Sequence, residues 1–392
     1  MSLASSLSLL RVPFFAPVAT AILLTILSEA VAGSYMVLFA VERIGMTPLE
    51  LSAYLTLSAL AGMVISMVLG SRHDRRPTLW PVQLSLAAKG IGFVLCLLIT
   101  EPWMLIAVGF VLLSLGAAAF SLLFAIAKGH LDAAGGDAPA SGMAALRMTS
   151  SLGWAIGPAL GALMVALWGF DGVYTGAAFL VALAAAAVLL GRIVPVAAPP
   201  RQVKVTMDVV RAAAPAVLAL TAFNTAMFMG GNAMSIVVAH ELGSETDVGL
   251  LYSLCAAIEV VIMSAFVLRP GWSHSRPLLL LGFALFAAFF LLVLLVPTLP
   301  SFYFGQFLRA AAIGIVSIVG MAVLQQMLPG RAGVAAALYG NTIGAGALVS
   351  GLGTGLWANA YGYMGLFAVC AALSVAGGFA LLARRRPVAT DR

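Results

Sequence analysis

Apolar runs of about 20 residues recur from one end of this chain to the other, and each is long enough to cross a hydrocarbon core of roughly 30 Å as a helix. Only 9% of the 392 residues are charged and 62% are hydrophobic, whereas an ordinary soluble domain carries about 25% charge. That deficit excludes a water-soluble globule, and a disordered chain would need the opposite composition. Stretches such as Val181 to Leu190 are apolar on every side. An outer-membrane barrel would alternate apolar and polar residues instead. The expectation is therefore an all-α membrane protein.

Polar interruptions divide the chain into twelve expected transmembrane helices, at 13–40, 49–70, 79–99, 103–125, 142–168, 172–192, 212–239, 248–268, 277–297, 301–327, 333–357 and 362–383. The first run is far longer than a signal-peptide core and is read as a retained span. The most polar connector, with Pro199-Pro200, Arg201, Lys204 and Asp208, suggests an N-terminal six-helix bundle (1–194), a cytoplasmic linker (195–211) and a C-terminal six-helix bundle (212–392). With both termini placed in the cytoplasm, only Arg43 of the 20 Lys and Arg lies outside, while Lys89, Arg147 and Arg309 fall within spans. The other sixteen lie inside, which is a strong positive-inside pattern. The net charge of +6 is thus topological, and nucleic acid is not an expected partner. Cys96, Cys255 and Cys370 share no close spacing, so neither a disulfide framework nor a metal site is expected.

The halves echo each other. The loop after the second run reads Arg72-His73-Asp74-Arg75-Arg76-Pro77, and a looser copy runs from Arg269-Pro270 to Arg276-Pro277 after the eighth. Two related six-helix bundles place a substrate site near the midplane, opened alternately by rocking. Gly70-Ser-Arg-His-Asp74-Arg75-Arg76 resembles the loop motif of the major facilitator superfamily, with its later Gly-Arg portion truncated. Gly70 would permit close helix approach, Asp74 would face a helix N-terminus, and Arg75 would pair across the interface between halves. An ordinary basic turn is the alternative. Gly153-Trp154-Ala-Ile-Gly157-Pro158-Ala-Leu-Gly161-Ala162 resembles the glycine-rich motif of exporters in that superfamily, with Ala162 in place of the last Gly. That resemblance implies proton-driven export, although small residues four apart also simply pack helices, as do Gly340, Gly344, Gly346, Gly351, Gly353 and Gly355.

Leu146-Arg147-Met-Thr-Ser-Ser-Leu-Gly-Trp154-Ala-Ile-Gly157-Pro158, Leu328-Pro329-Gly330-Arg331-Ala-Gly333 with Leu338-Tyr-Gly-Asn341, Ala257-Ile258-Glu259, and Asn224-Thr225 together resemble bacterial sugar efflux transporters. The resemblance implies the major facilitator fold, a bacterial-type cytoplasmic (inner) membrane, a sugar or glycoside substrate, protons as co-substrate, no cofactor and a monomer in the lipid bilayer. It departs from the family at Glu29, which instead resembles the first-helix acid of some drug/proton antiporters. A multidrug/proton antiporter exporting lipophilic or cationic compounds is thus the alternative function. An intramembrane enzyme is a remote one, because the external loops are too short to hold catalytic groups.

A charge inside a span costs from about 2.5 kcal/mol upward, so each marks a functional hypothesis. Glu29 and Glu259 are the candidates for proton coupling. Lys89, Arg147 and Arg309 are their candidate charge partners, and a structural ion pair is the alternative role for either acid. Arg147, near its span's end, could instead snorkel to the surface. A sugar site needs directional hydrogen bonds and flat apolar surfaces. Asn224 and Asn232 are offset by only about 80° around one helix, Tyr303, Gln306 and Arg309 are spaced three apart, and Tyr252 shares a face with Glu259. Asn341 adds a further amide, and Tyr35, Trp154 and Phe228 offer rings. His73, His130, His240 and His274 are expected in loops, which argues against an intramembrane histidine relay, and no Walker-type motif is present.

Overall fold

The computed structural model describes residues 12–136, 138–196, 207–328 and 332–382. Within them the chain is helical, with no strand. Eleven helices are used below: α1 (Phe15–Leu38), α2 (Pro48–Arg75), α3 (Trp80–Cys96), α4 (Pro102–Ala134), α5 (Ala138–Leu190), α6 (Met207–Val237), α7 (Glu245–Leu268), α8 (Arg276–Leu295), α9 (Leu299–Met327), α10 (Ala332–Tyr361) and α11 (Gly365–Leu382). Among the described residues ten helical segments are long and apolar enough to cross a membrane, and α3 is a shorter apolar helix. The fifth and sixth expected runs form one continuous α5, broken only at Gly169, whose φ of 62° and ψ of −158° lie outside helical space. Glycine alone adopts that conformation without steric cost. Arg11, the segment 197–206 with Pro199, Pro200, Arg201 and Lys204, the Pro329-Gly330-Arg331 patch, and Arg384, Arg385, Arg386 and Arg392 lie outside the described residues.

Several helices run past their apolar stretches. α2 continues through Arg75 and stops just before Pro77, and α4 continues to Ala134, where Gly135 takes a left-handed φ of 69°. Both ends use standard terminators, proline and a left-handed glycine. As a consequence His73 and His130, expected in loops, sit on helices and are buried. The His130 ring lies 5.1 Å from that of Phe14. Hydropathy marks where a helix meets hydrocarbon, not where its backbone hydrogen bonding ends, and that difference moved both histidines inward.

Two pairs of helix ends in the chain are built alike. α1 and α6 both close in a five-residue π turn, Phe39–Arg43 and Val238–Leu242. The next helix then opens in each case with a capping box. Glu50 accepts from Thr47 at its backbone nitrogen (2.9 Å) and hydroxyl (2.8 Å), and Asp247 accepts from the same two groups of Ser244 (2.9 and 2.7 Å). Each box satisfies helix N–H groups that otherwise have no partner. At the far ends Arg72 lies over the Trp80 ring (5.1 Å) and Arg269 over that of Trp272 (5.2 Å).

By contacts the chain divides into two compact units. The first comprises 1–46, 57–200 and 248–253, and the second 47–56, 201–247 and 254–392. In the first unit α5 packs along α1 through its glycines. A β-carbon at Gly153 would fall 2.5 Å from Ile26 Cγ2, one at Gly157 2.4 Å from Ala30 Cβ, and one at Gly161 2.7 Å from the Tyr35 ring. In lipid, where apolar surface gains nothing by leaving solvent, such close approach supplies van der Waals contact. The second unit interlocks glycines with phenylalanines. Gly230 meets Phe290, Gly305 meets Phe289 and Gly377 meets Phe283, around rings of Phe223, Phe286 and Phe290 with centroids 4.5 and 4.6 Å apart. On α10, Gly346 lies against Asn224, Gly353 against Met229 and Gly355 against Pro48 and Ser52, whereas Gly340 faces open space.

Gly70 requires a correction. A β-carbon there would meet nothing within 4 Å, so the expected close helix approach is absent at that position. Asp74 and Arg75 are exposed and form no ion pair among the described residues. The buried member of this motif is His73. Replacing Gly157 by Ala should lower stability by about 1–3 kcal/mol, because the Ala30 methyl has no flexible end to move aside. Gly70→Ala should cause no loss, since a helical Gly in open space is less favourable than Ala. Thermal midpoints of the detergent-solubilised variants check both.

Candidate functional site

In the first unit, α1 carries Glu29 towards Lys89 on α3. The ammonium donates to the carboxylate as an ion pair. The two ends differ in environment, the Lys89 side chain being 5% exposed and that of Glu29 45%. Lys89 is enclosed because Gly116 on α4 has no side chain. A β-carbon at 116 would lie 2.9 Å from the Lys89 Cα, so the two backbones meet there. Gly33, one turn beyond Glu29 on the same face, is exposed, and within 4 Å of where its β-carbon would be stands only Glu29 Oε1.

The other first-unit candidates lie apart from this pair. Arg147 is exposed and makes no ion pair among the described residues, so the charge-partner role expected of it is not met there. Tyr35 is 0% exposed with Gly161 closed against its ring. A stacking surface for a solute is therefore not available there, because the close α1 and α5 packing covers it. Trp154 is exposed and Tyr252 half-buried.

The second unit gathers a larger polar group. Gln306 and Arg309, both buried on α9, bond to each other, Arg309 Nη1 donating to Gln306 Oε1 at 3.2 Å. Gln306 Nε2 in turn donates to the Phe302 carbonyl at 3.0 Å, which fixes the amide so that its oxygen faces the guanidinium. Glu259, half-buried on α7, lies within electrostatic reach of Arg309, yet forms no ion pair among the described residues. Tyr339 on α10 bonds to Ser317 on α9 and also senses the Glu259 charge. Tyr303 does not join this group. Positions three apart drift by about 60° per step, and its hydroxyl instead donates to Asp247 Oδ1 at 2.7 Å.

Asn224 and Asn232 both turn to α10. Asn224 Nδ2 donates to Leu220 O (2.9 Å) and Thr342 Oγ1 (3.2 Å), and Asn232 Nδ2 to Thr354 Oγ1 (3.4 Å). Asn341 itself is exposed, and Phe228 is half-buried. Thr342, Thr354, Tyr339 and Ser317 were missed by sequence reasoning. A lone hydroxyl costs little in a span and gives no signal by type. Among the described residues no group of His, Cys, Asp and Glu is arranged to hold a metal ion.

Long apolar helices that hold ionisable and amide side chains within their length are those of an integral membrane protein. The sequence matches the Major Facilitator Superfamily over residues 18–270 and 216–392, and the chain belongs to that superfamily. It is a membrane transporter and not an enzyme. It is 37% identical over 377 residues to a protein of Deinococcus radiodurans named "Putative sugar efflux transporter", covering 94% of this chain and 97% of that one. It is 26% identical to sugar efflux transporter A of Escherichia coli, covering 87% and 88%. Among solved structures it resembles the nucleoside transporter NupG, with a TM-score of 0.77 at 14% identity over 94% of this chain and 98% of that one. A POT family transporter in complex with 5-aminolevulinic acid gives 0.78 at 13% identity, over 94% and 95%. These likenesses show the fold.

Removing the acceptor that Gln306 offers to Arg309 should destabilise the second unit. Gln306→Leu is expected to cost about 1.5–3 kcal/mol, the usual worth of a hydrogen bond to a charged group. Gln306→Glu, which keeps an acceptor, should recover most of it in the same thermal-midpoint measurement.

Proposed function

We propose that the protein exports sugars or glycosides in exchange for protons by alternating access. The observation that carries this reading is the likeness, over nearly its full length, to a protein bearing the name of a sugar efflux transporter. The polar groups of the second unit are consistent with it. Gln306 and Arg309 present directional donors and acceptors, while Asn224, Asn232, Phe228 and Asn341 of the same unit are further contacts for a solute with many hydroxyls and flat apolar faces; in the first unit, taken by itself, Tyr252 and Trp154 offer rings. Glu259 carries the proton. It stands near Arg309 without being tied to it in an ion pair, so its charge can change without breaking a bond that holds helices together. Glu29, already held by Lys89, is less suited to that task.

In the same proposal the chain crosses a bacterial-type cytoplasmic membrane twelve times, with both termini in the cytoplasm. The eleven helices become twelve spans if α5 passes through the membrane on each side of Gly169. The N-terminal bundle spans 1–194 and the C-terminal bundle 212–392, joined by 195–211, and the protein acts as a monomer. The repeated π turns and capping boxes support descent of the two bundles from one six-helix ancestor. Tyr303, hydrogen-bonded to Asp247, and the Gly153, Gly157, Pro158 and Gly161 series serve the framework.

Proteoliposomes loaded with a radiolabelled lactose-like glycoside test the function. An imposed pH gradient should drive glycoside flux, with proton movement that depends on the glycoside. Absence of any gradient-driven flux would refute the coupling. Glu259→Gln should lose gradient-driven flux while retaining glycoside counterflow, and a variant transporting normally along the gradient would remove Glu259 from the mechanism.

A further inference from the structure

The Glu29 and Lys89 pair is asymmetric in a way that a purely structural ion pair does not need. Lys89 is enclosed, with the Gly116 backbone close against its own. Glu29 is nearly half exposed, and Gly33 keeps the flank of the carboxylate clear. A carboxylate that open is costly against hydrocarbon, which favours polar surroundings for its exposed side. An ionised carboxylate has about four lone-pair sites, and one ammonium leaves most of them free to accept hydroxyl hydrogens. The buried ammonium meanwhile cancels the charge that would draw in a cation.

We propose that Lys89 sets the substrate class. By neutralising the half-open carboxylate of Glu29, it gives the first unit an uncharged, hydroxyl-accepting site that takes a neutral polyol and turns away a lipophilic cation. This inference deepens the sugar-exporter reading and rests on it for the identity of the solute. Glu29 then contacts substrate, and Lys89 is a positioning residue that acts through it.

Binding of a radiolabelled lactose-like glycoside and of tetraphenylphosphonium to the purified full-length chain tests the proposal. The wild type should bind the glycoside and not the cation. Lys89→Gln, which leaves the carboxylate uncompensated, should bind tetraphenylphosphonium at least about tenfold more tightly than the wild type, and the Glu29→Gln/Lys89→Gln double variant should lose that gain. A folded Lys89→Gln protein with no gain would overturn the proposal, as would wild-type protein that binds the cation as tightly as the variant. Should Lys89→Gln not fold, the wild type and the charge-exchanged Glu29→Lys/Lys89→Glu variant still decide it, because cation binding by either is excluded. The two readings fail separately. A wild type that moves glycoside while Lys89→Gln gains nothing sinks the inference alone, and a cation gain without any glycoside transport sinks the sugar assignment alone.

Discussion

Helices in lipid have no hydrophobic force pressing them together, so they hold only where their surfaces come close enough for dispersion contact. In both units that closeness is made by glycine opposite something that has a side chain. α5 lays Gly153, Gly157 and Gly161 along Ile26, Ala30 and Tyr35 of α1, and in the second unit Gly230, Gly305 and Gly377 seat the rings of Phe290, Phe289 and Phe283. The placement of charge depends on the same device. Lys89 reaches Glu29 from an enclosed position because Gly116 lets α4 close over the α3 backbone. Packing and electrostatics are therefore not separate layers in this protein, since a methyl group at 116 would disturb an ion pair through a backbone contact.

The fold class was legible because hydropathy is a property of single residues, and runs of them announce membrane helices without knowledge of neighbours. The intramembrane charges were legible for the same reason. Pairing was not, since it depends on which helices become adjacent. Glu29 and Glu259 looked equivalent in sequence, yet one is bound to a buried lysine and the other, within electrostatic reach of Arg309, forms no ion pair among the described residues. Gly70 and Gly157 also looked alike, and only the second touches a neighbour. The capping boxes Thr47-x-x-Glu50 and Ser244-x-x-Asp247 could have been read directly. They are a sharper sign of duplication than the basic loops, because a capping box fixes a helix start to the residue whereas a positive loop obeys only topology.

The second unit shows how a site can be rigid and still have bonding capacity to spare. Its amides and hydroxyls satisfy their first hydrogen bonds locally, Asn224 to Leu220, Thr225 to Thr221 and Gln306 to Phe302, each one turn back along its own helix. A polar side chain anchored in this way cannot swing to a new rotamer without losing a bond that hydrocarbon makes costly to leave unmade. The Gln306 oxygen is committed to Arg309, and that orients a guanidinium which has five donors in a fixed plane. Tyr303, one turn earlier, is occupied at the helix end by Asp247, so it leaves this region to Gln306 and Arg309. The consequence is a guanidinium oriented by a neutral amide, with Glu259 within electrostatic reach of it.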